Sequence, residues 1–444
     1  MNKHFLKKIR DYMPESLNYI ASPFIRNRLI KNKEFLNYYN LLENRELLSP
    51  ESIKEYQLNQ LKQILNHSYQ TVPYYRELFN KISFDPAKFS SFEEMMKIPF
   101  LTKTIIRENF SKLISREKVK NGTYMAFTGG STGEPLKVLL DYNSVFRENA
   151  FIYYFRKKAG YKFEDKLVTF RGVEFNDKLW KYNPIYNELI ISPFRLSRLT
   201  LEFYVTKIND FNPQYLNGYL SSIYSFAKLL EEFHIKLTAN LKGIFLISEN
   251  IDAEKRTFIE QFFNLKSFTH YGHSERCILA EEIIPNNYKF DDYYGFGERV
   301  RIESNSCSIV GTGFLNRSMP LIRYRTEDIC TTTDNGYFSI IGSRDSSMGL
   351  FGKNNEFFGH AAFNFHSDIF KNVSNYQFVQ KEKGKADLLI IVNKNFKLSD
   401  VDLMQKEFSK KTKGIVDFNI EVVDSLILTP TGKLNIFISN KIKE

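Results

Sequence analysis

Between residues 142 and 264 helical and strand-like patterns take turns, and that alternation limits the fold more than any single motif does. Apolar spacing predicts helices at Tyr142–Lys158, 221–233 and 253–264, while the short runs Leu167–Phe170 and 243–247 read as buried strands. A third such run lies at 308–310. Helices alternating with buried strands predict a layered α/β domain. Upstream, Leu58, Leu61, Ile64 and Leu65 set a helix over 55–79 that Val72-Pro73-Tyr74-Tyr75 interrupts, and Thr102 is placed to cap a helix starting near Lys103. Beyond Gly342 the texture changes: 388–392 and 418–423 look like strands flanking a helical 399–411, a small α+β module. A chain of 444 residues exceeds one ordinary core. The expected boundary is Ser343-Arg344-Asp345, giving domains 1–343 and 344–444.

Near the end of the first third stands Thr128-Gly129-Gly130-Ser131-Thr132-Gly133-Glu134-Pro135. Glycines let the backbone approach a ligand closely, and hydroxyls with successive N–H groups can donate to phosphate oxygens. The stretch is a candidate phosphate cradle; the same composition also suits an ordinary surface loop. It is not a Walker-type loop, because Glu134-Pro135 stands where Lys-Ser/Thr is required.

Charge narrows the partners. Lys and Arg number 62 against 51 Asp and Glu, a formal net charge of +11. That surplus suits a nucleotide or an anionic membrane surface, but the basic residues are dispersed, so no nucleic-acid partner is expected. An apolar share of 43% argues against disorder. Cys277, Cys307 and Cys330 have no paired spacing, which fits a reducing, cytoplasmic setting. Neither a membrane span nor a signal segment is expected. The basic, aromatic-rich stretch 3–31 reads as a packed amphipathic helix or as a site of peripheral membrane contact.

Further candidates follow the loop. Ser248-Glu249-Asn250 succeeds a strand, and strand ends in open α/β sheets are where ligands dock. Phe268-Thr269-His270-Tyr271-Gly272-His273-Ser274-Glu275-Arg276 gathers aromatics, histidines and a carboxylate in a turn-like stretch. Met319-Pro320-Leu321-Ile322-Arg323-Tyr324-Arg325-Thr326-Glu327-Asp328 reads as a strand ending in a carboxylate and two guanidiniums. Leu428-Thr429-Pro430-Thr431-Gly432-Lys433 sets a lysine on a turn near the C-terminus.

With these in order, nearly the whole chain resembles the adenylate-forming superfamily, and within it the phenylacetate–CoA ligase-like, CapK-type branch tied to capsule and other surface polysaccharides. Ile64-Leu65-Asn66-His67-Ser68-Tyr69, Val72-Pro73-Tyr74-Tyr75-Arg76 and Ile98-Pro99-Phe100-Leu101-Thr102-Lys103 look like the N-terminal signature of that branch. Trp180-Lys181-Tyr182-Asn183-Pro184 and Asn364-Phe365-His366-Ser367-Asp368 are similar to its capsule-type members.

The resemblance implies roles. Thr128, Gly129, Gly130, Ser131, Thr132 and Gly133 would hold the ATP phosphates. Ser248 and Glu249 would lie along the adenine, Tyr271 would stack on it and Gly272 would leave it room. Asp328 would bind the ribose hydroxyls, with Arg344 nearby. Glu275 would ligate Mg²⁺, and His273 would line the acyl pocket as a catalytic-site residue. Lys433, carried by a small mobile C-terminal domain hinged at Asp345, would meet the α-phosphate and the attacking carboxylate. Alone, each has a plainer reading: a turn lysine for Lys433, a surface ion pair for Glu275 with Arg276, core packing for Tyr215, Tyr219, Tyr224 and Phe226. Cysteines that can bind zinc in several relatives, near the positions of Glu282 and Asn335, are absent here, so zinc is not expected. The implied activity is ATP-dependent activation of a carboxylic acid. The acyl group would pass to a thiol such as CoA, or to an amine or hydroxyl on a polysaccharide precursor. The alternatives are an adenylyltransferase that leaves AMP on its acceptor and a non-catalytic nucleotide-binding member of a polysaccharide assembly.

Overall fold

The computed structural model describes residues 15–119, 121–128, 136–171, 178–192, 195–196, 198–249, 251–302, 306–333, 336–342, 349–359, 363, 369–392, 395–423, 427 and 437–439. The described chain opens on helices Glu15–Ile30, Lys33–Asn44, Pro50–Thr71 and Pro73–Lys81. The helix expected over 55–79 is two: Val72 is extended (φ −108°, ψ 112°), as the residue before a proline prefers, and Pro73 starts the second helix. Thr102 caps Lys103–Glu108 as expected, its Oγ1 accepting from the Ile105 N–H at 3.3 Å.

Strands β1 (Thr123–Thr128) and β2 (Leu136–Asp141) form an antiparallel hairpin in which Thr128 faces Leu136. The glycine-rich residues 129–135 lie between those paired ends, outside the described residues.

Twelve strands then build one sheet: β3 (Leu167–Phe170), β4 (Trp180–Asn183), β5 (Glu188–Ile191), β6 (Tyr215–Gly218), β7 (Gly243–Leu246), β8 (Ser267–Gly272), β9 (Leu279–Ile284), β10 (Asn287–Phe290), β11 (Gly295–Arg301), β12 (Cys307–Gly313), β13 (Tyr324–Thr332) and β14 (Phe338–Gly342). Their order is β11-β12-β13-β14-β10-β9-β8-β7-β6-β3-β5-β4. Strands β5, β3, β6, β7 and β8 run parallel. Helices Arg198–Phe211, Leu220–Glu232 and Ala253–Phe263 make the crossovers from β5 to β6, β6 to β7 and β7 to β8. Each of β3, β5, β6 and β7 is buried along its whole length, as a sheet covered on both faces requires. From β8 through β9 to β11 every pairing is antiparallel. Strand β8 therefore stands where the sheet changes character, with one parallel and one antiparallel neighbour.

Two apolar clusters follow that division. One gathers Val168, Leu216, Ile244 and Ile259 in the parallel half; the other gathers Leu61, Leu65, Phe79, Ile309 and Tyr324 around the N-terminal helices and the antiparallel half. The helix Tyr142–Lys158 lies where predicted and packs Tyr153 and Phe155 with Tyr215 and Phe245. Tyr215 and Phe226, both fully buried, belong to the core, as their plainer reading has it.

The C-terminal part holds a short hairpin, β15 (Gly349–Phe351) with β16 (Phe357–Gly359). It also holds a four-stranded sheet of β17 (Val373–Glu382), β18 (Lys385–Val392), β19 (Asp417–Val422) and β20 (Phe437–Ser439) in the order β19-β18-β17-β20. The two strands expected here are β18 and β19, paired in parallel across the helix Leu398–Thr412. Phe363, Phe378, Phe408 and Phe437 centre a cluster whose buried members all fall between Leu350 and Phe437. Residues 343–345, the expected boundary, lie outside the described residues. Among the described residues no helix is long and apolar enough to cross a membrane.

Candidate functional site

The site forms at the C-terminal ends of β7 and β8, where the sheet changes from parallel to antiparallel. Leu246 pairs with Thr269, so the chain leaving β7 runs out beside the last residues of β8. Ser248 then takes a left-handed conformation (φ 59°), which turns Ser248 and Glu249 off the strand direction. Strand β8 ends on Tyr271 and Gly272. The stretch read as turn-like is thus a strand as far as Gly272 and a turn only from His273 onward; pairing on both edges overrides its weak strand composition.

Asp328 arrives from β13. The segment read as the end of a strand is the start of one, and Asp328 sits inside it at an irregularity. Ser308 pairs with Ile329 and Val310 with Arg325, so Ile309 faces three residues. The Thr326 hydroxyl satisfies this bulge by donating to the Ile309 carbonyl at 2.9 Å and accepting from the Asp328 N–H at 3.1 Å. Bulges re-aim side chains. This one accompanies an Asp328 that accepts the Tyr271 hydroxyl at 2.6 Å.

Ser248, Glu249, Tyr271, Gly272 and Asp328 line one cavity of about 310 Å³. They come from the ends of β7 and β8 and from the bulge inside β13, and were all assigned to the adenine and ribose. Ile251, Asn286, Tyr288, Ser339 and Ile340 line it too and were not found from the sequence, since each sits on a turn or antiparallel strand with no motif of its own. A Cβ built on Gly272 would meet only ordinary contacts, at 3.9 Å or more from protein atoms. The chain itself does not demand a glycine there.

A second cavity, about 580 Å³, adjoins the first and shares Ser248, His270 and Gly272 with it. His273 lines it. Burial, reinforced by the Arg156 charge and opposed by Glu281, pushes the His270 pKa down to about 4. The imidazole is therefore neutral at neutral pH.

Glu275 is not a surface ion-pair partner of Arg276. It is buried, its Oε1 accepting the Tyr324 hydroxyl at 2.8 Å and its Oε2 lying 3.3 Å from His273 Nδ1. It lines neither cavity. Arg276, left-handed at φ 56°, reaches the helix Tyr142–Lys158 and meets Glu148 at 2.6 Å. The two guanidiniums before Asp328 are structural. Arg323 grips Glu298 and donates to the Ile98 carbonyl at 2.6 Å, and Arg325 donates to Ser308 Oγ at 3.1 Å. Glu282 pairs with Arg256 at 2.7 Å, and among the described residues no cluster of three or more histidine, cysteine or acidic side chains could hold a metal. Of the remaining predicted residues, Thr128 closes β1, whereas Gly129, Gly130, Ser131, Thr132, Gly133, Arg344, Asp345 and Lys433 lie outside the described residues.

No protein-family model matches the chain. The chain is 26% identical over 451 residues to Protein CapK of Staphylococcus aureus, covering 96% of this chain and 99% of that protein. It is 24% identical over 306 residues to the phenylacetate-coenzyme A ligase of Pseudomonas putida, covering 65% and 69% of the two chains. Among solved structures, a 2-hydroxyisobutyryl-CoA ligase superposes with a TM-score of 0.60 at 16% identity, over 90% of this chain and 92% of that one, which shows the fold. The curated relatives, together with the fold, support an adenylate-forming ligase. Within that class the chain is similar over nearly its whole length to CapK and over about two thirds of it to a phenylacetate-coenzyme A ligase.

Proposed function

We propose that the chain uses ATP to turn a carboxylic acid into an acyl-adenylate and then passes the acyl group to an acceptor nucleophile. The convergence of Ser248, Glu249, Tyr271, Gly272 and Asp328 on one cavity carries this reading. Their chemistry suits a nucleoside: an aromatic ring beside a residue without a side chain, and a carboxylate to accept hydroxyl groups. The hydrogen bond from Tyr271 to Asp328 links the ring to the carboxylate, so base and ribose would be positioned by one unit.

In the first step a carboxylate oxygen attacks the α-phosphorus and pyrophosphate leaves with the electrons of the broken P–O bond. In the second, the acceptor attacks the acyl carbon, loses its proton and expels AMP. The first step brings negative groups together, so it needs fixed positive charge and donors more than it needs acid–base chemistry. Residues 128–133 would hold the phosphates, and Lys433 with Arg344 would meet the charge that gathers at the α-phosphate. Domain 344–444, hinged near Asp345, would carry Lys433 in for the first step and out for the second. Its separate apolar cluster supports treating it as a unit.

Mg²⁺ belongs to the same proposal, because it binds through one or two carboxylates plus phosphate oxygens. Glu275, which the resemblance assigns to the ion, has the right donor chemistry and is buried with its carboxylate on the Tyr324 hydroxyl; the ion carries no step of the mechanism. CoA as acceptor is supported by the likeness to phenylacetate-coenzyme A ligase, and a role in surface polysaccharide biosynthesis by the likeness to CapK. A cytoplasmic setting with contact to an anionic membrane surface is part of the reading; Leu17, Ile20 and Phe24, exposed along the helix Glu15–Ile30, support the contact. The test is exchange of radiolabelled pyrophosphate into ATP in the presence of carboxylic acids. Acid-dependent exchange is expected; ATP binding without exchange by any acid would contradict the reading.

A further inference from the structure

The 580 Å³ cavity meets the nucleotide cavity at Gly272, so a carboxylate presented to the nucleotide from this side leaves the rest of its acid inside. Strand β1 forms one wall, the helix Tyr142–Lys158 another, and the turn after β8 a third. Met125, Phe127, Leu140 and Ile152 give apolar contact. Ala126, Leu279 and the rings of Tyr124 and Tyr294 add to it, and beside this apolar surface the wall carries the polar side chains of Glu148, His270, His273 and Arg276.

Arg276 Nε meets Glu148 Oε2 at 2.6 Å, and the Tyr294 hydroxyl donates to Glu148 Oε1 at 3.3 Å. Glu148 keeps 25% of its side chain exposed in this setting. Beside the pair stand two imidazoles. His270 Nδ1 and both ring nitrogens of His273 are buried and make no hydrogen bond among the described residues, and the His273 side chain is only 1% exposed. Its approach to Glu275 lacks hydrogen-bond alignment. Buried polar atoms are almost always satisfied in native proteins, so unsatisfied ones on a cavity wall point to a partner from outside the chain. His270 and His273, the two residues that carry these three nitrogens, both line this cavity.

We infer that the acyl substrate is a small carboxylic acid bearing a hydroxyl or amino group, held through that group by His270, His273 and the Glu148–Arg276 pair. Apolar acids of the same size would leave the imidazoles unpaired and be rejected for that reason. The inference rests on reading the neighbouring cavity as the ATP site.

The experiment compares size-matched acids in pyrophosphate exchange by the full chain: lactate, 3-hydroxybutyrate, serine and β-alanine against propionate, butyrate, benzoate and phenylacetate. ATP affinity is measured in parallel by calorimetry. Hydroxy or amino acids should exceed their apolar counterparts in kcat/KM by at least about a hundredfold. In a folded His273→Phe variant that ratio should shrink, chiefly through a higher KM for the polar acids. Equal or better exchange with the apolar acids would overturn the inference and leave the ATP site standing. ATP binding without exchange by any polar acid would also overturn it. Absence of both ATP binding and exchange would remove the underlying reading, and the inference with it.

Discussion

Gly272 separates a structural from a functional demand at a single position. Around it the protein leaves space, since a Cβ would come no nearer than 3.9 Å to any neighbour. Gly272→Ala should therefore change folding stability by less than about 1 kcal/mol, the scale of an unobstructed substitution, and the longer Gly272→Leu serves as the binding probe. That longer side chain would project toward the volume assigned to the adenine, and ATP affinity should fall by at least about tenfold. Denaturant unfolding of the first variant and calorimetry on the second check both halves; unaltered ATP affinity would take the base out of this cavity. His270 gives a pH signature. Its folded pKa of about 4 lies below the ordinary 6.5, so the unfolded chain takes up the proton first. Stability is full above pH 6.5 and is lost as pH falls toward 4. Between pH 7 and 5 this one residue should cost about 2 kcal/mol. Urea unfolding at those two pH values should show a smaller loss in His270→Phe, and equal losses would mean that the imidazole is not buried as described.

At the scale of elements, legibility in the sequence followed burial on both faces. Strands β3 and β7 and the helix Tyr142–Lys158 were readable because continuous apolar runs and helical spacing survive without knowledge of neighbours. Strand β8 was not, because Ser267, Thr269, His270 and Tyr271 become a strand only through β7 and β9. Tyr271 and Gly272, singled out through their motif, nonetheless line the 310 Å³ cavity. The irregularity in β13 was invisible for a related reason: nothing in Arg325-Thr326-Glu327-Asp328 announces a shift that exists only relative to β12. That shift makes a prediction. Thr326→Val keeps the shape but leaves the Ile309 carbonyl and the Asp328 N–H without their hydroxyl partner. Stability should fall by about 1–3 kcal/mol. ATP affinity should fall more than in a variant equally destabilised elsewhere, because Asp328 loses its fixed backbone. A stability loss with wild-type ATP affinity would mean the bulge does not position the carboxylate.

For the whole molecule, the account divides labour between a large sheet that holds the nucleotide and a C-terminal unit that brings a lysine to it. The α+β texture beyond Gly342 was legible because the pattern shifts there, and β18, β19 and the helix Leu398–Thr412 stand where it was read, while residues 343–345 lie outside the described residues. Lys433→Ala should slow pyrophosphate exchange by about two to three powers of ten, the usual cost of removing a charge that acts in the transition state. Transfer from a synthetic acyl-adenylate should continue, because the lysine would have moved away by then. Wild-type exchange in that variant would make Lys433 a surface residue. The most direct test of the central claim is a crystal structure of the full chain grown with AMP. The account predicts adenosine density in the 310 Å³ cavity, with the base along Ser248 and Tyr271 and the ribose against Asp328. Density for the nucleotide elsewhere, with that cavity empty at saturating AMP, would contradict it.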